Sequence, residues 1–389
     1  MNQPAALAYE AAPIVPGVRS RFVRNVNGLT MHILEAGFET TNRPCVLLLH
    51  GFPELAYSWR KVMPTLSQAG YHVIAPDQRG YGRTTGWGGS YDGDLASFRQ
   101  FNVTKDALAL VSALGYREVA CVVGHDFGMR PAAYSALIRP DVFRSVVLMS
   151  TPFVGPPSLP FNTAAEGNQS TAANSERGSI DDQLATLNPP RKHYQLYYCT
   201  READDNMHHS PQGVHAFLRA YYHYKSADWK GNRPFPLASS NAEEYAKIPT
   251  YYIMERDKGM AETVAAEMPT AAAIAACKWL PEEELRVYSS EFDRNGFQGG
   301  LQWYRCQASR EHMADLQLFS GRTIDVPSCF IAGKHDWGVY QNPGAFERMQ
   351  ERMCTQMRGC HLVDGAGHWA QQEQPEKVSE LLINFLQVT

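Results

Sequence analysis

Long apolar runs are absent from the 389-residue sequence. A helix that crosses a bilayer needs roughly 20 consecutive apolar residues, and no window comes close, so no membrane span is expected. Charge of one sign is also scarce, because 36 basic and 40 acidic side chains leave a formal net charge of −4. This balance gives no electrostatic case for nucleic acid or an anionic membrane as a partner.

Paired cysteine motifs are missing as well. The eight cysteines are scattered and none forms a CxxC pair, which favours free thiols in a reducing compartment over a disulfide framework or a zinc site. The segment before Pro16 has no basic region followed by an apolar run, so it does not resemble a secretory signal. We therefore expect a soluble cytoplasmic protein without a metal.

Short apolar runs that match buried strands alternate with helical patterns over the first 150 residues, which is typical of a parallel sheet covered by helices. The alternation ends at Thr151, where 155–190 is rich in Pro, Gly, Ser, Asn and Thr, and a helical, aromatic region follows. We predict an α/β core in two parts, 1–152 and 321–389, interrupted by a helical cap at 153–320. The strand-like runs are 45–49, 72–76, 118–123, 143–149, 326–332 and 359–363.

The strongest chemical motif is Gly124-His125-Asp126-Phe127-Gly128, which follows a predicted strand and precedes a helical pattern. In a nucleophile elbow the central residue lies on a strained strand-to-helix turn, and small residues two positions away on either side let the chain pass. The central residue here is an aspartate. Because an ionised carboxylate can attack a saturated carbon and form an alkyl ester, by opening a strained ring or displacing a halide, Asp126 is the predicted nucleophile.

Release of such an ester requires a base. His368 stands between the last predicted strand and the last helix, where the histidine of this chain order belongs, and its imidazole can take a proton from water near neutral pH. Asp336, just beyond the strand pattern 326–332, is predicted to orient His368. Asp325 lies at the opposite end of that strand, and Asp364 is predicted to turn the backbone.

The segment 50–53, with the sequence HGFP, follows the strand that carries the second oxyanion donor in this architecture. We expect the backbone N–H groups of Phe52 and Phe127 to stabilise the Asp126 carbonyl oxygen while the ester is hydrolysed. A cis peptide bond before Pro53 would help to aim this loop.

With Asp126, Asp336 and His368 in this order after the HGFP segment, the sequence resembles the α/β-hydrolase-fold epoxide hydrolases. The likeness runs from about Arg21 to Phe385. It implies an α/β-hydrolase fold with an inserted cap, and the hydrolysis of an epoxide by water to a vicinal diol through an ester on the aspartate. It also implies that no cofactor takes part.

A pair of cap tyrosines that hold the epoxide oxygen distinguishes this family. Tyr194 resembles the first and Tyr304 resembles the second, while Tyr197 and Tyr198 stay open as alternatives to Tyr194. A phenol with a pKa near ~10 stays protonated until ring opening produces a much more basic alkoxide, so it can then donate its proton.

The sequence departs from the family pattern at Phe127, where many relatives have Trp, and in a long cap stretch at 225–280. Pro53 and Trp303 are expected to line the substrate pocket. Haloalkane dehalogenases use the same nucleophile, but they need indole or amide N–H donors for the halide, commonly a Trp at the position of Phe127. A fluoroacetate dehalogenase would need arginines beside the elbow to hold the substrate carboxylate. Arg130, four residues after Asp126, is a candidate, but the residue directly after the nucleophile is not Arg.

A ligand-binding receptor on a hydrolase scaffold is the alternative from a different functional class. The complete Asp–His–Asp set and the two tyrosines argue against it, whereas tight, saturable binding without turnover would favour it. The sequence leaves open the oligomeric state, a homodimer included, and also the physiological epoxide and the regio- and enantioselectivity of its hydrolysis.

Overall fold

A computed structural model describes residues 15–161 and 175–389, with the backbone alone for 175–179. The first 14 residues of the predicted core segment 1–152, and residues 162–174 of the predicted linker, lie outside the described residues. Within the described part of the chain, no helix is both long enough and apolar enough to cross a membrane.

In the described residues, ten strands form one large and one small sheet. They are β1 Val18–Val26, β2 Leu29–Ala36, β3 Cys45–Leu49, β4 His72–Pro76, β5 Cys121–His125, β6 Val146–Met149, β7 Arg191–His193, β8 Ile253–Glu255, β9 Ile324–Gly333 and β10 Cys354–Val363. The large sheet has the order β1-β2-β4-β3-β5-β6-β9-β10, with β2 antiparallel to both neighbours and the other pairs parallel. The predicted α/β-hydrolase architecture of the sheet is confirmed.

The antiparallel edge of the sheet is a tight hairpin. Asn27 and Gly28 join β1 to β2, with φ of 48° and 83°, and Val26 pairs with Leu29. Two successive positive φ values give a turn whose twist matches that of the flanking strands, which is why Asn-Gly is favoured there.

The helices, in chain order, are α1 Met63–Gln68, α2 Gln100–Ala113, α3 Met129–Ile138, α4 Ser175–Ala185, α5 Tyr194–Tyr197, α6 Glu202–His208, α7 Gly213–Lys225, α8 Ala242–Tyr245, α9 Met260–Ala265, α10 Ala271–Ala276, α11 Glu282–Asn295, α12 Gln298–Ala308, α13 Arg310–Ala314, α14 Ala345–Arg348, α15 Ala370–Glu373 and α16 Pro375–Leu386. α2 and α3 pack on one face of the large sheet, and α1 and α16 contribute to the apolar core on the other face. β3 is buried on both faces, with Val46 and Leu48 in one core and Leu47 and Leu49 in the other. This explains its continuous apolar sequence.

The described residues between β6 and β9 are mostly helical, as the sequence predicts, with one exception. β7 and β8 pair as a small antiparallel sheet within this region, and β8 belongs to the long stretch 225–280. Strands of three residues leave no period for a pattern search to detect. In the core, a short 3-10 turn at Ala96–Phe98 precedes α2.

Candidate active site

The elbow is a sharp turn at the carboxyl end of β5. Asp126 has a φ of 50°, a left-handed conformation that is strained for a residue with a side chain. A Cβ on Gly124 would lie 2.2 Å from the Gly128 carbonyl oxygen, and one on Gly128 would lie 2.3 Å from the His50 carbonyl oxygen. Both glycines are therefore required, because the chain crosses itself here without room for a methyl group.

The two oxygens of the Asp126 carboxylate have different partners. Oδ1 accepts the Phe52 N–H at 3.0 Å. A side chain at position 51 would collide with Asp126, because a Cβ on Gly51 would lie 2.6 Å from the same Oδ1. The peptide bond before Pro53 is cis, as expected. Among the described residues, the Phe127 amide makes no hydrogen bond to the carboxylate, so of the two predicted oxyanion donors the Phe52 N–H is the one engaged in this structure.

His368 lies directly over the free oxygen. Its Nε2 is 3.5 Å from Asp126 Oδ2, and its Nδ1 is 3.1 Å from Asp336 Oδ1. Because a carboxylate can only accept, Nδ1 donates its N–H to Asp336, which fixes the orientation of the ring and directs Nε2 towards Asp126. The structure thus brings together all three side chains that the sequence placed at separate strand ends.

The two rejected aspartates lie elsewhere. Asp325 bonds the hydroxyls of Thr323 and Thr355 near the start of β9, and Asp364 forms an exposed ion pair with Lys334 at 2.7 Å. Neither contacts the imidazole of His368.

Asp126 is buried and ionised. Burial alone would raise its pKa, but the hydrogen bond and charge of His368, together with the charges of Lys225 and His125, outweigh burial and hold the pKa of Asp126 below its ordinary value. Burial likewise opposes ionisation of Asp336, yet His368, Ser150 and the Gly338 N–H lower its pKa. The site therefore holds an ionised nucleophile beside an ionised orienting group near neutral pH.

The predicted tyrosines come from two different helices between β6 and β9, and their rings lie close together. The ring centroids of Tyr194 on α5 and Tyr304 on α12 are 6.0 Å apart, and Tyr304 packs 4.4 Å from Phe127 and 5.6 Å from Phe52. Burial raises the pKa of Tyr304 well above its usual range, and the neighbouring Tyr194 phenol and Asp126 carboxylate raise it further. The phenol is therefore fully protonated at neutral pH, as a proton donor must be.

Tyr194 has one competitor at its position. Tyr197 points away, since its hydroxyl donates to Asn206 Oδ1 of α6 at 2.8 Å. Tyr198 lies one helical turn after Tyr194 and its ring is 5.0 Å from that of Tyr304, but its hydroxyl donates to Tyr221 at 3.2 Å. Helical geometry thus places 194 and 198, but not 197, on the face towards Tyr304.

The two predicted pocket residues each bond to a residue that is distant in the sequence. The carbonyl of Pro53 accepts the Tyr222 hydroxyl at 2.8 Å, and the indole N–H of Trp303 donates to the Arg79 carbonyl at 2.9 Å. The ring of Trp303 packs 5.9 Å from that of Phe127. Its N–H is consequently engaged by the protein rather than directed at a ligand.

Comparison with known proteins agrees with this geometry. Residues 44–375 match the family model of the alpha/beta hydrolase fold. Epoxide hydrolase B of Mycobacterium tuberculosis is 31% identical over 369 residues, which cover 94% of this chain and 97% of that protein. Epoxide hydrolase A of the same organism is 32% identical, covering 93% and 95%. The structure of an epoxide hydrolase from an endophytic Streptomyces has a TM-score of 0.74 at 30% identity, covering 96% of both chains.

The chain belongs to the α/β-hydrolase-fold epoxide hydrolases. The family assignment made from the elbow, the base and the HGFP segment is confirmed by these relatives.

One element of this family member's site, a buried ion pair behind the elbow, was missed from the sequence. His125 Nδ1 is 2.6 Å from Glu54 Oε2, and His125 Nε2 is 2.7 Å from the His368 carbonyl oxygen. Since both ring nitrogens face acceptors, His125 is an imidazolium. Burial alone would lower its pKa, but Glu54 chiefly raises it to about 9. His125, which precedes the nucleophile, thus connects Glu54 to the loop that carries His368. Glu54 also accepts the Gly51 N–H at 2.9 Å.

Two further positions support the base. Glu373 on α15 accepts the N–H groups of Gly367 at 2.9 Å and Trp369 at 3.0 Å, which fixes the loop on both sides of His368. Ser150, with a φ of 73° after β6, places its hydroxyl 3.1 Å from His368 Nδ1. The sequence signal for Ser150 was its place at a strand end, the same signal that identified Asp336.

Proposed function

We propose that this chain hydrolyses epoxides to vicinal diols in two steps, with Asp126 as the nucleophile. In the first step Asp126 Oδ2 bonds to a ring carbon, the carbon–oxygen bond of the ring breaks, and a phenol of Tyr304 or Tyr194 protonates the departing oxygen. The product is a hydroxyalkyl ester on Asp126 and a phenolate on the tyrosine. Two facing donors also orient the ring for in-line attack.

In the second step water hydrolyses the ester. His368 Nε2 takes a proton from a water that attacks the carboxyl carbon of Asp126, and the Phe52 N–H stabilises the negative charge on Oδ1. The ester bond breaks, the second hydroxyl of the diol leaves, and Asp126 is ionised again. The proton that this step liberates restores the phenol, so one epoxide and one water give one diol.

The two phenols are the observation that favours epoxides over alkyl halides as substrates. A departing halide needs N–H donors, but Phe127 supplies no indole and the Trp303 N–H is bound to Arg79. The guanidinium of Arg130 lies 5.9 Å from the Phe127 ring. An opening epoxide instead needs a proton, which a buried, fully protonated Tyr304 can donate.

We further infer that the two-part core, 1–152 and 321–389, holds the nucleophile, the base and the orienting aspartate. In this division of labour the cap, 153–320, supplies the phenols. Its long stretch 225–280 contributes β8 and the buried Tyr252, whose ring lies 4.9 Å from that of Tyr194.

The direct test is turnover by the purified chain of a small panel of neutral aryl and alkyl epoxides, with a haloalkane and fluoroacetate as alternative substrates. We expect diol from the epoxides and no halide release. Asp126→Asn should abolish diol formation, whereas the matched control Asp364→Asn, at an exposed carboxylate, should leave it unchanged. Halide release without diol would make the chain a dehalogenase, and saturable epoxide binding without turnover would make it a receptor.

A further inference from the structure

Three neighbouring strands at one edge of the large sheet bring together a serine, a histidine and an aspartate that the epoxide chemistry does not use. Ser20 lies on β1, His32 on β2, and Asp77 directly after β4. The Ser20 Oγ is 2.7 Å from His32 Nε2, and His32 Nδ1 is 2.7 Å from Asp77 Oδ2. This is the order of contacts that activates the serine nucleophile of Ser–His–Asp hydrolases.

The antiparallel pairing of β1 with β2 places Ser20 beside His32. Ser20 pairs with Leu34 and Phe22 pairs with His32, so Ser20 and His32 are diagonal neighbours on one face of the sheet. The ring of His32 also packs 5.3 Å from that of Phe22. Because His32 is fully buried, Ser20 and Asp77 rather than bulk water occupy its two ring nitrogens.

The Asp77 carboxylate is held in place by backbone donors. Its Oδ1 accepts the Ala56 N–H at 2.9 Å, and its Oδ2 accepts the Arg83 N–H at 3.0 Å. Burial alone would raise the pKa of Asp77, but His32 and the Arg83 N–H lower it to about 2. Since an ionised carboxylate can only accept, His32 Nδ1 donates its N–H to Asp77, and Nε2 is directed at the Ser20 hydroxyl.

Ser20 lies at an accessible place, far from the elbow in the sheet. In the described part of the chain β1 is an outermost strand, and Ser20 is half-buried there. Val18 and Phe22, which share its face, are half-buried too and give it apolar neighbours that suit an aromatic ring. Three strands separate β1 from β5, which leads to Asp126, so this cluster is distinct from the candidate active site.

We propose that Ser20 is a second nucleophile, which attacks the carbonyl carbon of small activated aryl esters with His32 as its base. In the neutral form of the ring, His32 Nε2 takes the hydroxyl proton while Oγ bonds to the acyl carbon. The bond to the aryl oxygen breaks, and the phenol leaves with the proton from His32. Water that gives a proton to His32 then attacks the acyl carbon, and Oγ leaves and takes that proton back. One ester and one water thus give one phenol and one carboxylic acid.

The side chains around Ser20 determine this class of substrate. Arg19 and Arg21, its neighbours in the strand, lie on the opposite face and both bind Glu35, so they are not free to stabilise the acyl oxygen. One oxyanion donor contributes about 10²–10³-fold to kcat in a serine hydrolase. An ester with a good leaving group depends less on such a donor than an amide does, and we therefore assign activated aryl esters and not peptides.

The first test uses a reagent that traps an activated serine. The native chain is treated with an alkyl fluorophosphonate, which bonds phosphorus to Oγ with loss of fluoride, and the labelled peptides are identified by mass spectrometry over time. Ser97 is an internal control, because it is also half-buried but its hydroxyl donates to the Asp94 carbonyl oxygen. We expect label at Ser20 to form about 10²-fold faster or more than at Ser97, as a positioned base implies.

The second test measures release of nitrophenolate from p-nitrophenyl acetate by Asp126→Asn, which lacks the proposed epoxide nucleophile. Adding Ser20→Ala should lower the release about tenfold or more, whereas adding Ser97→Ala should change it little. His32→Gln should reduce labelling of Ser20 to the rate of Ser97. Circular dichroism checks that each variant is folded, and if His32→Gln is not, the ratio of the two labelling rates in the native chain decides whether Ser20 is activated.

Two results would overturn this activity. One is labelling of Ser20 no faster than that of Ser97, which would assign the three side chains to holding β1, β2 and the start of the next loop together. The other is an unchanged release of nitrophenolate after Ser20→Ala, which would place ester hydrolysis elsewhere on the chain. Neither result bears on the epoxide chemistry, because Asp126 is absent from the second test.

Discussion

Replacing Glu54 by Gln tests whether the buried pair with His125 stabilises the site. The substitution keeps the shape of the side chain and removes its charge, and an amide oxygen can still accept the Gly51 N–H. It leaves His125 without its ion-pair partner, 2.6 Å away in the native chain. When one member of a buried pair is removed, the other is left as an uncompensated charge, which typically costs about 3–5 kcal/mol.

The pKa of His125 gives an independent magnitude. Glu54 holds this pKa at about 9, compared with 6.5 for an unperturbed histidine. A difference of about 2.5 units corresponds to roughly 3 kcal/mol of unfolding free energy. Because the folded pKa is raised, this stabilisation is fully present below about pH 6.5 and is lost as the pH rises through about 9. The pKa of Glu54 is lowered by His125 against the effect of burial, so the pair's contribution is also lost at acidic pH.

The assay is urea unfolding followed by tryptophan fluorescence at pH 6, 7.5 and 9.5. We expect Glu54→Gln to lower the unfolding free energy by about 3 kcal/mol at pH 6 and by much less at pH 9.5, where His125 is neutral in both proteins. Glu380→Gln, which removes one member of an exposed pair with Lys377, is the matched control and should change little at any pH. A Glu54→Gln protein with native stability and an unchanged pH dependence would refute this reasoning.

Three further predictions concern individual steps. Tyr304→Phe should slow ester formation by about 10²–10⁴-fold, measured by rapid quench, with no comparable effect on ester hydrolysis, because it removes a proton donor to the alkoxide. The first phenol is Tyr194 if Tyr194→Phe slows ester formation and Tyr198→Phe does not. The reverse result would assign the role to Tyr198. Asp336→Asn should leave ester formation nearly unchanged and slow hydrolysis, so the ester accumulates by intact mass, and a variant that loses both steps equally would contradict an orienting role. Burial raises the pKa of Glu373 to about 7. Glu373→Gln should therefore slow ester hydrolysis at about pH 8.5, where the carboxylate is ionised, because a neutral amide binds the Gly367 and Trp369 N–H groups more weakly, and Glu376→Gln at an exposed position should not.

Much of the fold could be predicted because the core strands are short, continuous apolar runs. β3 and β4 occur where the pattern placed them. β5 was predicted at 118–123 but spans Cys121–His125, since a glycine and a histidine at the end of a strand carry no apolar signal. Tertiary context, the close approach of Gly124 to Gly128, determines that end.

Some residues of the candidate site could be predicted from the sequence, and others could not. The residues of the nucleophile, the base and the orienting group stand directly after predicted strands, so topology alone could bring Asp126, His368 and Asp336 together. Glu54 and Lys225 could not be found in this way. A glutamate after a proline and a lysine at the end of a helix are ordinarily solvated, and only packing shows that both are buried.

Isotope transfer into the nucleophile is the most direct test of the ester on Asp126. The chain is allowed to turn over an epoxide repeatedly in ¹⁸O-water, and the peptide that contains Asp126 is then analysed by mass spectrometry. Because water attacks the carboxyl carbon, we predict that ¹⁸O enters the Asp126 carboxylate and rises with the number of turnovers. An unlabelled Asp126 after many turnovers, with the label only in the diol, would show that water attacks the epoxide directly and would contradict the ester mechanism.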